Sequence, residues 1–436
     1  MQVPSAAAKA ISILLAVLTP VLSLFFGVSQ VTMNAQEKAA VVEALDKTDG
    51  FMAGICHPEP EYKQIKKANI GWIREDIPYP LDDNGKISQS YKDWKKEMKA
   101  YAKRGIKVMA ITPYPYKFLD HGLDIRKDED VPKIQKIARF LLKDLKNIAG
   151  AFQITNEMGV DRFTDPLTME EAAKFIGEQA KAMYPIRGDI LIGYNLGGLG
   201  VLQLPPLMAK YNQYIDYVGI DLYFGCFENI VKSIETFPAL MKYAYTLTRK
   251  PIILAEFGYI GLGEPKTPAQ KQAILEKRYK VSSEEEARKN INAFIKHLPK
   301  DLRDEFRQLY KNKSDSEKAD LLFKGEYANH IYRELSEGTG LAGYPHTPEG
   351  QAKFFADLIP MVKNLDFCIG AFIYMWNDSE RCYICGQKGC PVETGWGIVD
   401  GEGKLKPAYY AVQKSVCKLK KAKECRRLVR RHFFSV

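Results

Sequence analysis

Ile252-Ile253-Leu254-Ala255-Glu256-Phe257-Gly258 runs through four apolar residues and stops on a carboxylate, a ring and a glycine. The apolar residues do not alternate with polar ones. That pattern belongs to a strand buried on both faces, as in a parallel sheet covered by helices. Seven other segments read the same way: Phe51–Ile55, Ile70–Arg74, Val108–Thr112, Ala151–Thr155, Ile190–Tyr194, Tyr217–Leu222 and Ile369–Trp376.

Longer stretches of helical periodicity separate them. Tyr91–Arg104 halts at Gly105, a helix stop. Thr168 and Glu171 form a capping box ahead of a helix reaching Met183, and Pro348–Leu365 leads into the last strand. Eight strand–helix units predict the α/β class and a closed (β/α)₈, or TIM, barrel over residues 50–415. One interval breaks the rhythm. Residues 261–347, between strands seven and eight, are charged and helical in pattern. Ser282-Ser283-Glu284-Glu285 and the Ser314–Glu317 pair can cap helices, and Ile291, Phe294, Ile295, Leu298, Leu302 and Phe306 share a face. This interval reads as a helical insertion over the barrel mouth.

Barrels of this kind carry their chemistry at the C-terminal ends of the strands. Arg74 ends strand two, Asn156-Glu157 strand four, Tyr223 strand six, Glu256 strand seven and Trp376 strand eight. Two carboxylates facing across a mouth, about 5 Å apart, suit retaining glycoside hydrolysis: one protonates the leaving oxygen and the other attacks the anomeric carbon. Either Glu alone says little, because Asn-Glu after an apolar run is often only a loop. The pair at strands four and seven predicts Glu157 as acid/base and Glu256 as nucleophile. Arg74, Asn156, Tyr223 and Trp376 are the candidate substrate-binding residues around them. Arg74 is placed to favour the charged form of Glu256, or else to pair with Glu75 or Asp76. Asn156 can bond a sugar 2-hydroxyl or fix its loop; Tyr223 can orient Glu256; Trp376 offers a stacking face or belongs to the core. Glu59, Tyr114, Tyr116, Tyr194 and Asn195 are further subsite candidates.

These motifs resemble glycoside hydrolase clan A, which includes families five and thirty-nine. The resemblance rests on Asn156-Glu157 for the strand-four pair and Glu256-Phe257-Gly258 for the strand-seven nucleophile. Arg74, Tyr223, Trp376 and the run Gly395-Trp396-Gly397-Ile398-Val399-Asp400 add to it. It spans residues 51–415 outside the insertion, and it implies a retaining β-glycosidase acting on an oligo- or polysaccharide without a cofactor or metal. The chain departs from family five in having Asp221-Leu222-Tyr223 where His-x-Tyr is usual. A non-catalytic carbohydrate-binding barrel and a transglycosylase using the same intermediate are the alternatives. No Gly-x-Ser-x-Gly elbow is present, and Gly197-Gly198-Leu199-Gly200 is not a dinucleotide fingerprint.

The ends of the chain carry different signals. An uncharged apolar run from Ile11 to Val28 follows Lys9, so residues 1–35 read as a cleaved signal peptide or a retained membrane anchor. Either predicts an exported protein, secreted, periplasmic or anchored with the barrel outside the cytoplasm. Export in turn predicts a disulfide among Cys382, Cys385 and Cys390, and Cys368 reads as a buried thiol. The net charge is +10, of which +8 lies in residues 414–436. The body is therefore nearly neutral and offers no nucleic-acid face. The basic tail, residues 416–436, either contacts an anionic surface or is simply solvated.

Overall fold

The structure, a computed structural model, describes residues 31–198, 200–226, 233–261, 268–298, 300–324, 331–332, 340–381 and 394–417. Its centre is a closed barrel of eight strands in sequence order: β1 (Met52–Cys56), β2 (Trp72–Asp76), β3 (Lys107–Ile111), β4 (Ala149–Gln153), β5 (Leu191–Leu196), β6 (Tyr217–Leu222), β7 (Ile252–Phe257) and β8 (Cys368–Ile373). Every pairing is parallel, and β1 closes on β8 from Met52↔Gly370 to Ile55↔Ile373. β5 to β8 are buried along their whole length, as their unbroken apolar pattern demands.

The helices include α1 (Ala35–Lys47), α2 (Tyr62–Lys67), α3 (Gln89–Ala102), α4 (Val131–Leu145), α5 (Met169–Met183), α6 (Gly200–Met208), α7 (Thr236–Thr248) and α8 (Pro348–Lys363), with the short helices Pro115–Asp120 and Asp161–Thr164 after β3 and β4. α4 shows why they pack as they do. Ile134, Ile137, Ala138, Leu141, Leu142 and Leu145 are all buried at helical spacing, and each large aliphatic side chain stabilises by about 1.5–3 kcal/mol. α5 starts on the expected capping box: Thr168 accepts from the Glu171 N–H at 3.3 Å, and Glu171 accepts from the Thr168 N–H at 2.8 Å. α3 stops at a left-handed Gly105 with φ 74°, a conformation in which glycine carries no Cβ penalty.

Between β7 and β8 the chain forms the helices Pro268–Ile274, Glu284–Lys289, Ile291–His297, Lys300–Leu309 and Asp315–Phe323. Ser314 and Glu317 make the expected capping box, and Ser283 caps the second helix. Ile291, Phe294, Ile295, Leu298 and Phe306 are buried in an apolar cluster separate from the barrel core; the side chain of Leu302 lies outside the description. The helix capped by Ser283 does not run on into this face: Asn290, with φ and ψ of −118° and 41°, separates it from Ile291–His297.

Several strand ends differ from expectation. β2 runs on to Asp76 and β5 to Leu196, β4 stops at Gln153, and paired β8 stops at Ile373, before Trp376. Cys368 is buried, as expected. The apolar run Ile11–Val28, the Cys382–Cys390 loop and the chain beyond Cys417 lie outside the described residues. Among the described residues no helix is long and apolar enough to cross a membrane.

Candidate active site

Arg74 organises the C-terminal end of the barrel. It comes from β2, is 1% exposed, and spends its guanidinium on Glu256 of β7, Gln153 of β4, Asn156 just beyond β4 and, at 3.8 Å, the Cys56 Sγ of β1. Nη1 donates to Glu256 Oε1 at 2.5 Å, Nη2 to Asn156 Oδ1 at 2.6 Å, and Nε to Gln153 Oε1 at 2.9 Å. A planar fork with several fixed donors can serve these acceptors at once, where a lysine ammonium could not. The alternative pairing to Glu75 or Asp76 is not formed: Glu75 faces His57 at 3.6 Å, and Asp76 accepts from the Tyr114 hydroxyl at 3.0 Å. Burial also corrects the expectation that Arg74 binds substrate, since its donors are turned onto the protein.

Glu256, 7% exposed on β7, takes its second hydrogen bond from the Tyr223 hydroxyl just beyond β6. A carboxylate between a buried cation and a phenol donor is paired and hydrogen-bonded, the condition under which a buried charge persists. Asp221 stands opposite Glu256 in the β6–β7 register, after a bulge at Ile220/Asp221. Burial, then the charge of Glu256, raises the Asp221 carboxyl well above its ordinary value. Its Oδ2 accepts from Asn195 Nδ2 at 2.6 Å, and its Oδ1 is buried without a hydrogen-bond partner. Of two adjacent acids with one guanidinium between them, Glu256 holds the ion pair.

Glu157 follows β4 on a turn with two left-handed residues, Thr155 at φ 54° and Glu157 itself at φ 46°. Thr155 donates its N–H to Thr112 Oγ1 at 3.0 Å, its carbonyl accepts from Gln153 Nε2 at 2.8 Å, and the Glu157 N–H donates to Asn195 Oδ1 at 2.9 Å. The Glu157 side chain lies against Gly197, where a Cβ would come within 2.7 Å of the Glu157 Cβ and Cγ. Burial, then the negative charge of Glu256, raises the Glu157 carboxyl well above the usual carboxylate range, while Arg162 and Arg74 pull it back in part. The two glutamates brought together from β4 and β7 are therefore in opposite environments.

An aromatic wall stands on the β6–β8 side. Tyr223 meets Trp396 edge-on at 5.1 Å and Tyr374 at 5.8 Å, and Tyr374 meets His57 at 5.8 Å. The structure corrects the reading of Trp376 as a stacking platform. That ring is fully buried and packs edge-on against Tyr409 at 6.1 Å. Because β8 ends at Ile373, the half-buried Tyr374 occupies the position beside Tyr223. Asn156 is buried, and its Oδ1 receives Arg74, Gln153 and Asn195 together.

Sequence reading missed His57, Gln153, Asp221 and Tyr374. His57 follows β1 directly, at a strand end like the residues that were found, but carries no motif. Burial alone would lower its pKa, yet Glu75 and Asp76 outweigh this and raise it to about 9. Of the weaker candidates, Glu59 is exposed and Tyr194 and Asn195 are buried. Tyr114 stacks between Tyr116 at 5.5 Å and Phe163 at 5.3 Å. Among the described residues no group of three or more His, Cys, Asp or Glu could hold a metal ion.

No protein-family model matches the chain, and no curated protein sequence matches it. Solved structures similar to it include a GH2 β-galacturonidase from Eisenbergiella tayi, at 13% identity and TM-score 0.49 over 85% of this chain and 51% of that one. This chain thus spans about half the length of that protein. They also include a GH53 catalytic domain from Ignisphaera aggregans (16% identity, TM-score 0.49, 87% and 94% of the two chains). A family 1 β-glucosidase from Thermotoga maritima matches at 11% identity and TM-score 0.49, over 84% and 98%. The activities in these names belong to those proteins.

Proposed function

We propose that this chain hydrolyses β-glycosidic bonds in an oligo- or polysaccharide by a retaining double displacement. The observation that carries the reading is the asymmetry of the two glutamates: Glu256 is ion-paired to Arg74 and bonded by Tyr223, while burial and the charge of Glu256 raise the carboxyl of Glu157. Glu256 attacks the anomeric carbon as Glu157 gives its proton to the leaving oxygen, forming a covalent glycosyl ester. Esterification removes the charge of Glu256. The Glu157 pKa then falls, and Glu157 takes a proton from the incoming water. Asn156 has its oxygen fully engaged, so the group it can offer a sugar hydroxyl is its Nδ2. Tyr223 orients the nucleophile.

Wild-type protein should be screened on aryl β-glycosides and on β-glucan, mannan, xylan and galactan, with the product anomer read by NMR. Retention is expected. Glu256→Ala should abolish turnover, with azide restoring an α-configured product; Glu157→Ala should still be glycosylated by substrates with good leaving groups, and azide should release a β product. Inversion by the wild type, or near-normal activity of Glu256→Ala, refutes the mechanism. Turnover that rises with added acceptor sugar and yields longer glycans would make the chain a transglycosylase. Binding without turnover would make it a carbohydrate-binding barrel. We also propose export, supported by the apolar run Ile11–Val28; cell fractionation with N-terminal sequencing tests it and separates a cleaved signal from an anchor.

A further inference from the structure

We propose that Asn195 is a positioning residue for Glu157, relaying the fixed orientation of Arg74 to the backbone of the acid/base. The inference rests on Glu157 having that role. Asn195 belongs to β5 and is 1% exposed, so it acts through its neighbours and not on a ligand.

The relay follows from donor and acceptor logic. A guanidinium only donates, so the atom of Asn156 that meets Arg74 Nη2 at 2.6 Å must be its carbonyl oxygen. Gln153 Nε2 donates to the same oxygen at 3.0 Å. An acceptor fixed in this way requires the facing end of Asn195 to be its amide nitrogen, and Nδ2 lies 2.8 Å away. The second Nδ2 hydrogen goes to Asp221 Oδ2 at 2.6 Å. Only one orientation of the Asn195 amide remains. Its Oδ1 then points at the Glu157 N–H and accepts it at 2.9 Å. That hydrogen bond falls on a non-glycine residue at φ 46°, a sparsely populated conformation that persists only when its surroundings impose it. Two residues further along, Gly197 leaves room for the Glu157 side chain, where any Cβ would press within 2.7 Å of it. The C-terminal end of β5 thus grips Glu157 by its N–H through Asn195 and seats its side chain on Gly197.

If Asn195 aims the acid, its loss should cost acid catalysis specifically. The wild type, Asn195→Ala, Asn195→Asp and Glu157→Ala should be compared on a matched pair of β-glycosides of whichever sugar the wild type cleaves. One carries a 2,4-dinitrophenyl leaving group, which needs no proton; the other carries an alkyl aglycone, which does. Asn195→Ala should lower kcat/KM about 100-fold on the alkyl glycoside and less than about fivefold on the dinitrophenyl one, as loss of general-acid assistance requires. Retained dinitrophenyl turnover would itself report a folded barrel. Asn195→Asp keeps an acceptor for the Glu157 N–H but loses the Nδ2 donor to Asn156 and Asp221, so it should recover only part of the alkyl-glycoside loss, about two- to fivefold. It also stands in if the alanine variant does not fold: selectivity between wild type and Glu157→Ala supports the relay. Equal losses on both substrates, or none, overturn it. If Glu157→Ala itself loses both substrates equally, the assignment of Glu157 falls and the relay falls with it.

Discussion

Arg74 is the side chain whose removal should cost most. In Arg74→Met the volume is largely kept, but Glu256, 7% exposed, loses its cation, and Gln153 Oε1 loses the donor at 2.9 Å. Breaking a buried ion pair from one side costs about 3–5 kcal/mol. Orphaning the Gln153 oxygen adds about 1–3 kcal/mol. Asn156 Oδ1 adds little, because Gln153 and Asn195 still donate to it. The sum, about 4–8 kcal/mol, is a large share of the 5–15 kcal/mol that holds a typical domain folded. Most of it should be recovered when the stranded charge is removed as well, so Arg74→Met with Glu256→Gln should be more stable than Arg74→Met alone. The assay is a double-mutant cycle by urea denaturation, followed by tryptophan fluorescence and far-ultraviolet circular dichroism. A coupling of about 3 kcal/mol or more between the two positions is expected. A coupling within about 0.5 kcal/mol of zero would mean that the pair does not hold the mouth of the barrel together.

The raised Glu157 carboxyl sets a pH signature. An acid must be protonated to act, so kcat/KM on an alkyl or phenyl glycoside should persist above the ordinary carboxyl range and fall as pH rises through the raised value; a dinitrophenyl glycoside should lack this limb. Stability has the same sign, because Glu157 and Asp221 bind protons in the folded chain that the unfolded chain has released: unfolding free energy should fall as pH rises above the unfolded pKa, about 4, and Glu157→Gln should flatten that slope. Gly197→Ala should push Glu157 aside and lower kcat/KM on poor leaving groups about 10- to 100-fold with little loss of melting temperature, and unchanged kinetics would show that the turn can yield. Trp376→Phe should cost about 1–2 kcal/mol of stability and leave KM unchanged; a large rise in KM would return that ring to the cleft. Protein purified from the exported fraction should contain a disulfide among Cys382, Cys385 and Cys390, and three titratable thiols there would disprove it.

The barrel was legible because its evidence is local. Each strand is a short apolar run, and the Thr168–Glu171 and Ser314–Glu317 boxes lie within four residues of chain. Glu157 and Glu256 could be singled out because each closes or follows an apolar run within a recognisable motif. What failed was the placing of strand ends and the partners that depend on register. Ile369–Trp376 is apolar enough to read as one strand, yet pairing stops at Ile373, which sends Trp376 into the core and Tyr374 to the wall. Asn195 was noticed only as a subsite candidate at a strand end. Its contacts with Glu157, Asn156 and Asp221 depend on how β4, β5 and β6 align, and the bulge at Ile220/Asp221 in the β6–β7 pairing sets Asp221 opposite Glu256. No single segment records such a meeting.

The insertion also bears on how the molecule is assembled. β6 and β7 are joined across the thirty positions from Leu222 to Ile252, but β7 and β8 must find each other across the interval from Phe257 to Cys368, nearly four times as long. The loop-closure penalty grows only logarithmically, so those two doublings add about 1.2 kcal/mol at equilibrium. The burden falls on kinetics, since distant pairings are slow to nucleate. During synthesis, β8 emerges long after β7, and the ring cannot shut against β1 before then. Arg74 and Glu256 meet across that ring, so their ion pair is expected to take its final geometry only once the last strand has closed it.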